Sequence, residues 1–227
     1  MGPLSALIEI FQSLDIAGKL IIFVLAIISV YMWGLIFAKL LSMKTIDLGN
    51  EKIYKRLRGF NAQFARDFLQ LFRDFPKSSS LPLHKLYRVC CDNLLTREKI
   101  RPEAIIATEK LLDSYIAEEV ITLEEGMNFL SVTSTIAPFL GLLGTVWGIM
   151  VMFRKMTQAG SSTISTVAPG ISVALTTTIA GLVVAIPAAI FYYYFRGRVN
   201  KQLVLMEKFS RELMTKLQNL ILEEQEL

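Results

Sequence analysis

The chain has 227 residues, of which 53% are hydrophobic and 19% are charged, and its mean hydropathy is +0.47. The charged residues avoid three stretches, 20–38, 126–153 and 156–195, and about 20 apolar residues are enough to cross a bilayer. This pattern excludes an ordinary soluble domain, and the net charge of +4 does not indicate nucleic-acid binding, because the basic residues flank the uncharged stretches.

The first 19 residues precede the first uncharged stretch. Residues 4–14 carry apolar side chains at near-helical spacing, with Glu9 and Gln12 on the other side. Two interpretations remain open: a helix that lies in the membrane interface, or a plain extension of the first span. The stretch 20–38 is too long for the apolar part of a signal peptide and lacks a small-residue cleavage site before Lys39, so we predict the first transmembrane helix there.

Residues 39–125 are expected to form a helical domain outside the bilayer. The segment 51–75 alternates apolar and charged residues at helical spacing, and "FPKSSSLP" (75–82) interrupts it. We predict a second helix over 83–95 and a third from Pro102, since proline is favoured in a first helical turn. The apolar period of this third helix continues without a breaker into the next uncharged stretch, which predicts one long helix through both.

The remaining chain is predicted to contain two more spans. They are 126–153 and 169–195, joined by a short loop over 154–168, and the last helix continues through 196–227. Basic residues mark the cytoplasmic side of a membrane protein, and here they follow the first and third spans. Arg154 and Lys155 in the short loop count against this orientation, but the larger bias decides. The predicted fold is therefore an all-α polytopic membrane protein with three transmembrane helices, an outer N-terminus and long cytoplasmic helical extensions.

Small residues form a stripe along each of the last two spans. In the second span the stripe has separations of 4, 3, 4 and 3 residues and comprises Ser134, Pro138, Gly141, Thr145 and Gly148. In the third span it comprises Gly170, Ala174, Thr178, Gly181, Ala185 and Ala188. Small faces let helices approach closely in lipid, so we predict helix packing at Gly141, Gly148, Ala174 and Gly181, and also at Pro138 and Pro187. Pro138 and Pro187 free backbone carbonyls inside the spans, which nearby hydroxyls can help to satisfy.

The hydroxyls on these stripes are the candidates for a proton pathway. Thr145 and Thr178 are the main candidates, and Ser134 and Thr177 are further possible pore-lining residues. Thr176 lies on another face and is expected to bond its own backbone. The alternative for any such threonine is a hydrogen bond to the carbonyl one turn back. Because no span contains an ionisable acid or base, any carboxylate that carries protons must come from another subunit.

Nothing in the sequence predicts an enzyme, a metal site or a cofactor. There is no Gly-rich phosphate loop, nucleophile elbow or zinc-ligand spacing. Cys90 and Cys91 are adjacent, and His84 is the single histidine, so these residues favour packing roles over chemistry. We therefore predict no catalytic residue and no cofactor.

Two motifs resemble the MotA/TolQ/ExbB proton channel family: "APFLGLLGTVWGIMVMF" in the second span and "VAPGISVALTTTIAGLVVAIPA" in the third. The three-span layout, the long first cytoplasmic segment and "RPEAIIATEKLL" agree with it. The resemblance implies a pentamer in the bacterial inner membrane, with a periplasmic N-terminus and a cytoplasmic C-terminus. It implies that Thr145 and Thr178 face a pore occupied by a TolR- or ExbD-like single-span partner that supplies an intramembrane aspartate.

Within the family, the short N-terminal tail and the chain length favour the TolQ branch, and three spans rather than four disfavour the MotA branch. The resemblance then implies a motor subunit that uses the proton-motive force to energise a TolA-like protein for outer-membrane integrity and envelope constriction. One alternative is an ExbB-like subunit that energises TonB-dependent import, and another is a non-conducting membrane scaffold. A small-molecule transporter is poorly supported, because the chain has neither an internal repeat nor a charged pocket.

The sequence departs from the family at one position of the third span. The family's usual pattern has a glutamate where "APGISVAL" has Val173. The role of that glutamate cannot be carried over to this chain. Either the partner's aspartate and the two threonines suffice, or another hydroxyl substitutes, for which Ser172, Thr176 and Thr177 are candidates.

Overall fold

The computed structural model describes residues 14–60, 81–94, 102–159 and 164–225, and these ranges form helices without a strand. The described helices are α1 (Ile16–Arg58), α2 (Pro82–Leu94), α3 (Pro102–Glu124), α4 (Met127–Ala159) and α5 (Ile164–Gln225). The predicted all-α class is confirmed. Helix α3 begins at Pro102 as expected, and α5 continues from the third apolar stretch to Gln225.

Helices α1, α4 and α5 are long and apolar enough to cross a membrane. Their most apolar windows have mean hydropathies of 2.7, 2.0 and 2.1, and only 22%, 22% and 33% of those windows are buried. Large side chains point outward, with Phe139 65% exposed and Val183 64% exposed. Such continuous apolar exposure is unfavourable in water and suits hydrocarbon. The chain is therefore a multi-pass membrane protein. The boundaries of its spans and the orientation of its termini stay predictions.

The chain divides into two compact units. The first comprises Met1–Ala38 and Gly126–Phe195, and the second comprises Lys39–Glu125 and Arg196–Leu227. In the first unit, α1 packs on α4 through Tyr31 and Phe129, whose ring centroids are 4.6 Å apart. It also contacts α5 through Trp33 and Phe191, with ring centroids 6.1 Å apart. These contacts place the N-terminal part of α1 beside the α4–α5 pair.

The second unit combines an apolar core with a buried polar network. Its core includes Leu57, Leu83, Leu112, Phe209 and Leu217, each with no exposed surface. The buried Asn50 amide donates to Gln202 Oε1 at 2.8 Å, and Asn50 Oδ1 accepts from the backbone N–H of Leu83 at 3.3 Å. Gln202 in turn donates to Asp47, which also pairs with Arg198. Because buried polar groups are costly without partners, this network holds α1, α2 and α5 in one arrangement.

The predicted continuous helix through α3 and α4 is wrong. Helix α3 ends at Glu124, and Gly126 adopts a φ of 77°, in the left-handed region, before α4 starts at Met127. Glycine enters this region without a Cβ penalty and commonly ends helices in this way. Lys39 Nζ donates to the Glu125 carbonyl oxygen at 2.5 Å, which satisfies an acceptor freed by the break. The helical spacing of apolar residues continues across Gly126, so the sequence pattern alone does not indicate that the helix ends there.

The predicted loop over 154–168 is also too long. Helix α4 continues to Ala159 and α5 begins at Ile164, so most of the predicted loop is helical, and residues 160–163 lie outside the described residues. The polar residues are accommodated within the helix: Thr157 donates its hydroxyl to the Arg154 carbonyl at 2.8 Å. Polarity alone therefore did not mark a loop.

Two other predictions fall partly on undescribed residues. Helix α1 continues past the first span to Arg58, and Gly59 forms a turn, so the predicted helix over 51–75 is observed only up to residue 58. Its remainder, residues 61–75, and the apolar pattern of residues 4–13 lie outside the described residues.

Candidate functional site

The small-residue faces of α4 and α5 meet with their backbones in contact. A Cβ added to Gly141 would lie 2.7 Å from the carbonyl oxygen of Thr177 and 2.9 Å from the Cα of Thr178. A Cβ on Gly181 would lie 2.5 Å from the carbonyl oxygen of Ala137. These distances leave no room for any side chain, because the opposing atoms belong to the backbone.

The same contact extends towards the C-terminal end of α4. A Cβ on Gly148 would lie 2.8 Å from the Cβ of Ala174, and one on Gly144 would lie 2.6 Å from the Oγ1 of Thr177. The structure thus brings Gly141, Gly148, Ala174 and Gly181 into one helix–helix contact. Pro138 lies within α4 and Pro187 within α5, both half-buried.

Three threonine hydroxyls meet inside this contact, and we call them the threonine cluster: Thr145 of α4, and Thr177 and Thr178 of α5. Thr145 Oγ1 hydrogen-bonds Thr178 Oγ1 and lies 3.3 Å from Thr177 Oγ1. Two backbone carbonyls complete the cluster. Gly141 O lies 3.2, 3.0 and 3.3 Å from the hydroxyls of Thr145, Thr177 and Thr178, and Ala174 O lies 3.2 and 2.7 Å from those of Thr145 and Thr177.

The hydrogen atoms of the cluster can all be placed in hydrogen bonds inside it. Three hydroxyls have three hydrogens, and each hydroxyl lies within hydrogen-bonding distance of Gly141 O, Ala174 O or another threonine. A hydroxyl that donates inward retains lone pairs that can accept. Thr177 has no exposed surface and Thr145 is 7% exposed, whereas Thr178 is half-buried. Thr178 is therefore the member that can present an acceptor to a group outside the helix pair.

The other predicted hydroxyl does not join the cluster. Ser134 donates to the carbonyl oxygen of Ser131 at 2.7 Å, within its own helix. Thr176 donates to the Ser172 carbonyl at 3.2 Å, one turn back, as expected. Thr145 also reaches the carbonyl one turn back, Gly141 O, so the backbone-bonding alternative and the inter-helix contact both hold for it.

The sequence profile of the MotA/TolQ/ExbB proton channel family matches residues 84–208, which is more than half of the chain and contains the whole cluster. The chain belongs to this family. The threonine cluster therefore lies in the matched part of a proton-channel motor subunit.

Individual relatives come from two branches of the MotA/TolQ/ExbB family. The chain is 30% identical to the Tol-Pal system protein TolQ of Pseudomonas aeruginosa over 203 residues, 84% of this chain and 83% of that protein. It is 42% identical to TolQ of Haemophilus influenzae over 100 residues, 44% of each chain. It is 32% identical to the biopolymer transport protein ExbB of Pseudomonas putida over 192 residues, 82% of this chain and 55% of that protein. The chain thus spans about half the length of the last two relatives.

Outside the predicted spans, the environment of the two described cysteines and of the described histidine shifts their pKa values. Burial raises the pKa of the Cys91 thiol to about 12 and also raises the pKa of the Cys90 thiol, which disfavours the reactive thiolates. Burial, with a smaller effect of Arg88, lowers the pKa of His84. Within the described ranges, no three His, Cys, Asp or Glu residues are grouped to hold a metal ion.

Sequence reasoning missed two features of the contact. It treated Thr177 as a secondary candidate, although its hydroxyl lies deepest and reaches both carbonyls of the cluster. The signal was present, since Thr177 follows Ala174 by three residues and so shares its helix face. It also gave no role to Asp15, whose Oδ2 accepts from Trp147 Nε1 at 3.0 Å. Sequence alone offered no signal for a contact between residues 132 positions apart.

Proposed function

We propose that the chain is a TolQ-like motor subunit in a bacterial inner membrane. With a TolR-like single-span partner it uses the proton-motive force to energise a TolA-like protein, which supports outer-membrane integrity and envelope constriction. In this proposal the N-terminus is periplasmic, the C-terminus is cytoplasmic, and five copies surround the partner helices. The similarity to TolQ of two organisms and the basic flanks of the spans support it.

The observation that carries the proposal is the threonine cluster. The described spans contribute hydroxyls to this contact and no acid or base, so the titrating group must enter from another chain. A carboxylic acid in its protonated form is a hydrogen-bond donor, and the ionised form is an acceptor only. Because the hydroxyl hydrogens can all be placed inside the cluster, we propose that Thr178 acts as an acceptor and so favours the protonated form of the partner's aspartate. Proton loss would then release the partner helix, which couples proton flow to motion.

The drive for this cycle is the membrane potential, worth about 2.3 kcal/mol per charge for each 100 mV. A carboxylate is far more costly than a neutral acid beside this apolar contact, so loss of the proton favours departure of the partner from it.

The test replaces Thr178 with valine and compares it with Thr176→Val as a matched control. Thr176 is the same residue type two positions away, and its hydroxyl bonds only within its own helix in the structure. We expect Thr178→Val to reduce partner-dependent proton flux at least tenfold and to make cells sensitive to detergent. Thr176→Val should retain both properties. If Thr178→Val keeps full flux and detergent resistance, the proposed role is wrong.

An ExbB-like function is the second candidate, supported by the ExbB relative that covers 82% of this chain. Deletion separates the two candidates. A TolQ-like subunit predicts detergent sensitivity and chained, poorly constricted cells, whereas an ExbB-like subunit predicts loss of energised outer-membrane import with normal constriction.

A non-conducting scaffold is supported by Val173, where the family's usual glutamate is absent. A scaffold predicts no neighbouring reading frame that encodes a one-span protein with an intramembrane aspartate. It also predicts that the purified complex does not conduct protons, and the flux measurement tests this directly.

A further inference from the structure

A cavity of about 140 Å³ lies in the first unit, where three helix ends meet. The N-terminal end of α1, the last turns of α4 and the first turns of α5 form its wall. The wall includes Asp15, Gly144, Lys155, Gly170, Val173 and Ala174.

The cavity is suited to hold water. One buried water needs roughly 10–15 Å³ of such volume and two to four polar partners, and this volume holds several. Asp15 supplies a carboxylate and Lys155 an ammonium group to the wall, whereas the lining residues of α5 are uncharged. An apolar cavity would stay empty of water, but two charged groups in the wall favour a hydrated one.

Asp15 is held in place on two sides. Its Oδ1 accepts from the backbone N–H of Gly18 at 2.9 Å, which caps the start of α1. Its Oδ2 accepts from Trp147 Nε1 of α4 at 3.0 Å. Each carboxylate oxygen has further lone pairs, so the group can still accept a hydrogen bond from a cavity water.

The cavity adjoins the threonine cluster through shared residues. Gly144 lines the cavity, and an added Cβ there would lie 2.6 Å from Thr177 Oγ1. Ala174 also lines the cavity, and its carbonyl oxygen accepts from Thr145 and Thr177. One layer of small residues therefore separates the cavity from the cluster.

We propose that this cavity is a hydrated vestibule for protons, and that Asp15 is its proton-accepting group. The Asp15 carboxylate takes a proton from water outside and becomes a neutral acid. It then gives that proton to a cavity water and returns to the carboxylate, and the hydrated proton passes to the partner's carboxylate beside Thr178. This inference rests on the proposed function, and it assigns the entry side of the path to this chain.

The first experiment measures hydration of the vestibule by thiol labelling in the membrane-embedded complex. Val173→Cys places a thiol in the cavity wall, and Val183→Cys places one on the outward apolar surface of the same helix, where Val183 is 64% exposed. The native Cys90 and Cys91 have raised pKa values and should react slowly, so the unmodified chain gives the background. The probe is a small, membrane-impermeant cationic methanethiosulfonate, added on the side that the start of α1 faces.

We expect Val173→Cys to be labelled at least tenfold faster than Val183→Cys. The thiolate attacks such reagents and displaces sulfinate, and a thiolate forms in water and not in hydrocarbon. Equal rates, or a Val173→Cys thiol that reacts no faster than background, would overturn the vestibule.

The second experiment measures proton flux in liposomes that contain the complex purified through a tag on this chain. Asp15→Asn keeps an N-cap oxygen for Gly18 and removes the titratable group, and Trp147→Phe removes the same inter-helix hydrogen bond but keeps the carboxylate. We expect at least a tenfold loss of flux for Asp15→Asn, a clearly smaller loss for Trp147→Phe and substantial retention for Asp15→Glu.

The outcomes separate this inference from the proposed function. A wild-type complex that carries no protons contradicts the proposed function and this inference together. A wild-type complex that conducts, with Asp15→Asn at the same rate or Trp147→Phe equally impaired, contradicts only the role of Asp15.

Discussion

Thr177 and Thr178 are adjacent residues, and we expect their hydroxyls to have different roles. Thr177 is fully buried and reaches the Gly141 and Ala174 carbonyls, so its hydroxyl stabilises the α4–α5 contact. Thr178 is half-buried and can present an acceptor to another chain. The difference follows from their rotation about the helix axis, about 100° per residue.

Valine substitution at the two positions should therefore separate stability from function. Thr177→Val should lower the unfolding free energy of the detergent-solubilised chain by about 1 kcal/mol, as an inter-helix hydrogen bond in a membrane contributes about that much. Thr178→Val should lower proton flux with a smaller effect on stability. Equilibrium unfolding in detergent mixtures and flux in liposomes measure the two effects. The reverse ranking would contradict this assignment.

The adjacent thiols of the second unit should be inert in the folded protein. Burial raises the pKa of Cys91 to about 12 and also raises that of Cys90, so neither forms an appreciable thiolate at pH 8. Iodoacetamide at pH 8 should label them at least tenfold more slowly than in the denatured chain. Fast labelling of the folded chain would contradict the buried placement.

Much of the residue-level site could be predicted from sequence, because stripe positions follow from helical spacing. Gly141, Thr145, Ala174, Thr178 and Gly181 were all placed on the facing stripes, and the structure brings them together. The depth of Thr177 and the partner of Asp15 could not be predicted, since both depend on how far the helices rotate when they pack.

At the scale of the helices, the α4–α5 contact depends on glycines that meet backbone rather than side chains. Gly141→Ala would place a Cβ 2.7 Å from a carbonyl oxygen and 2.9 Å from a Cα, neither of which can rotate away. Gly34 of α1 is the matched control, since a Cβ there meets nothing within 4 Å.

We expect Gly141→Ala to lower the thermal unfolding midpoint of the complex by several degrees, because the overpacked helices must separate and a loss of 1–3 kcal/mol is typical. Gly34→Ala should leave the midpoint unchanged or raise it slightly, since alanine is the better helix former. Differential scanning fluorimetry in detergent measures both. Equal midpoints for the two variants would contradict the close backbone contact.

The break between α3 and α4 depends on Gly126 in the left-handed region. Gly126→Ala should destabilise the chain by about 1–2 kcal/mol, the usual cost of this conformation for an L-residue. Gly126→Asn should cost less, since asparagine tolerates the left-handed region better. Chemical unfolding of the two variants provides the measurement, and a fully stable Gly126→Ala variant would contradict the break.

The presence of each helix could be predicted from the uncharged stretches and from the helical spacing of apolar residues. Both patterns follow from the apolar surface that a segment has to remove from water. Helix ends could not be predicted as well. Gly126 sits within an apolar pattern that suits a continuous helix, and 154–159 is polar yet helical. Both ends depend on local backbone partners, such as Lys39 at Glu125 and Thr157 at Arg154, which hydropathy does not describe.

At the scale of the whole molecule, the proposed proton path is divided between two kinds of chain. This chain supplies three apolar helices, a hydroxyl cluster without a carboxylate and, by our inference, an acidic vestibule at one end. In the proposed function, the titrating group at the cluster comes from the partner. Because the chain belongs to the MotA/TolQ/ExbB proton channel family, a proton-driven motor with a divided path is supported.

The most direct test compares proton flux in liposomes that contain this chain alone with flux in liposomes that contain it together with its single-span partner, at the same imposed potential. The account predicts flux only when the partner and its intramembrane aspartate are both present. Replacing that aspartate with asparagine should return the flux to the level of the chain alone. Equal flux with and without the partner would contradict the central claim that the carboxylate served by the threonine cluster belongs to another chain.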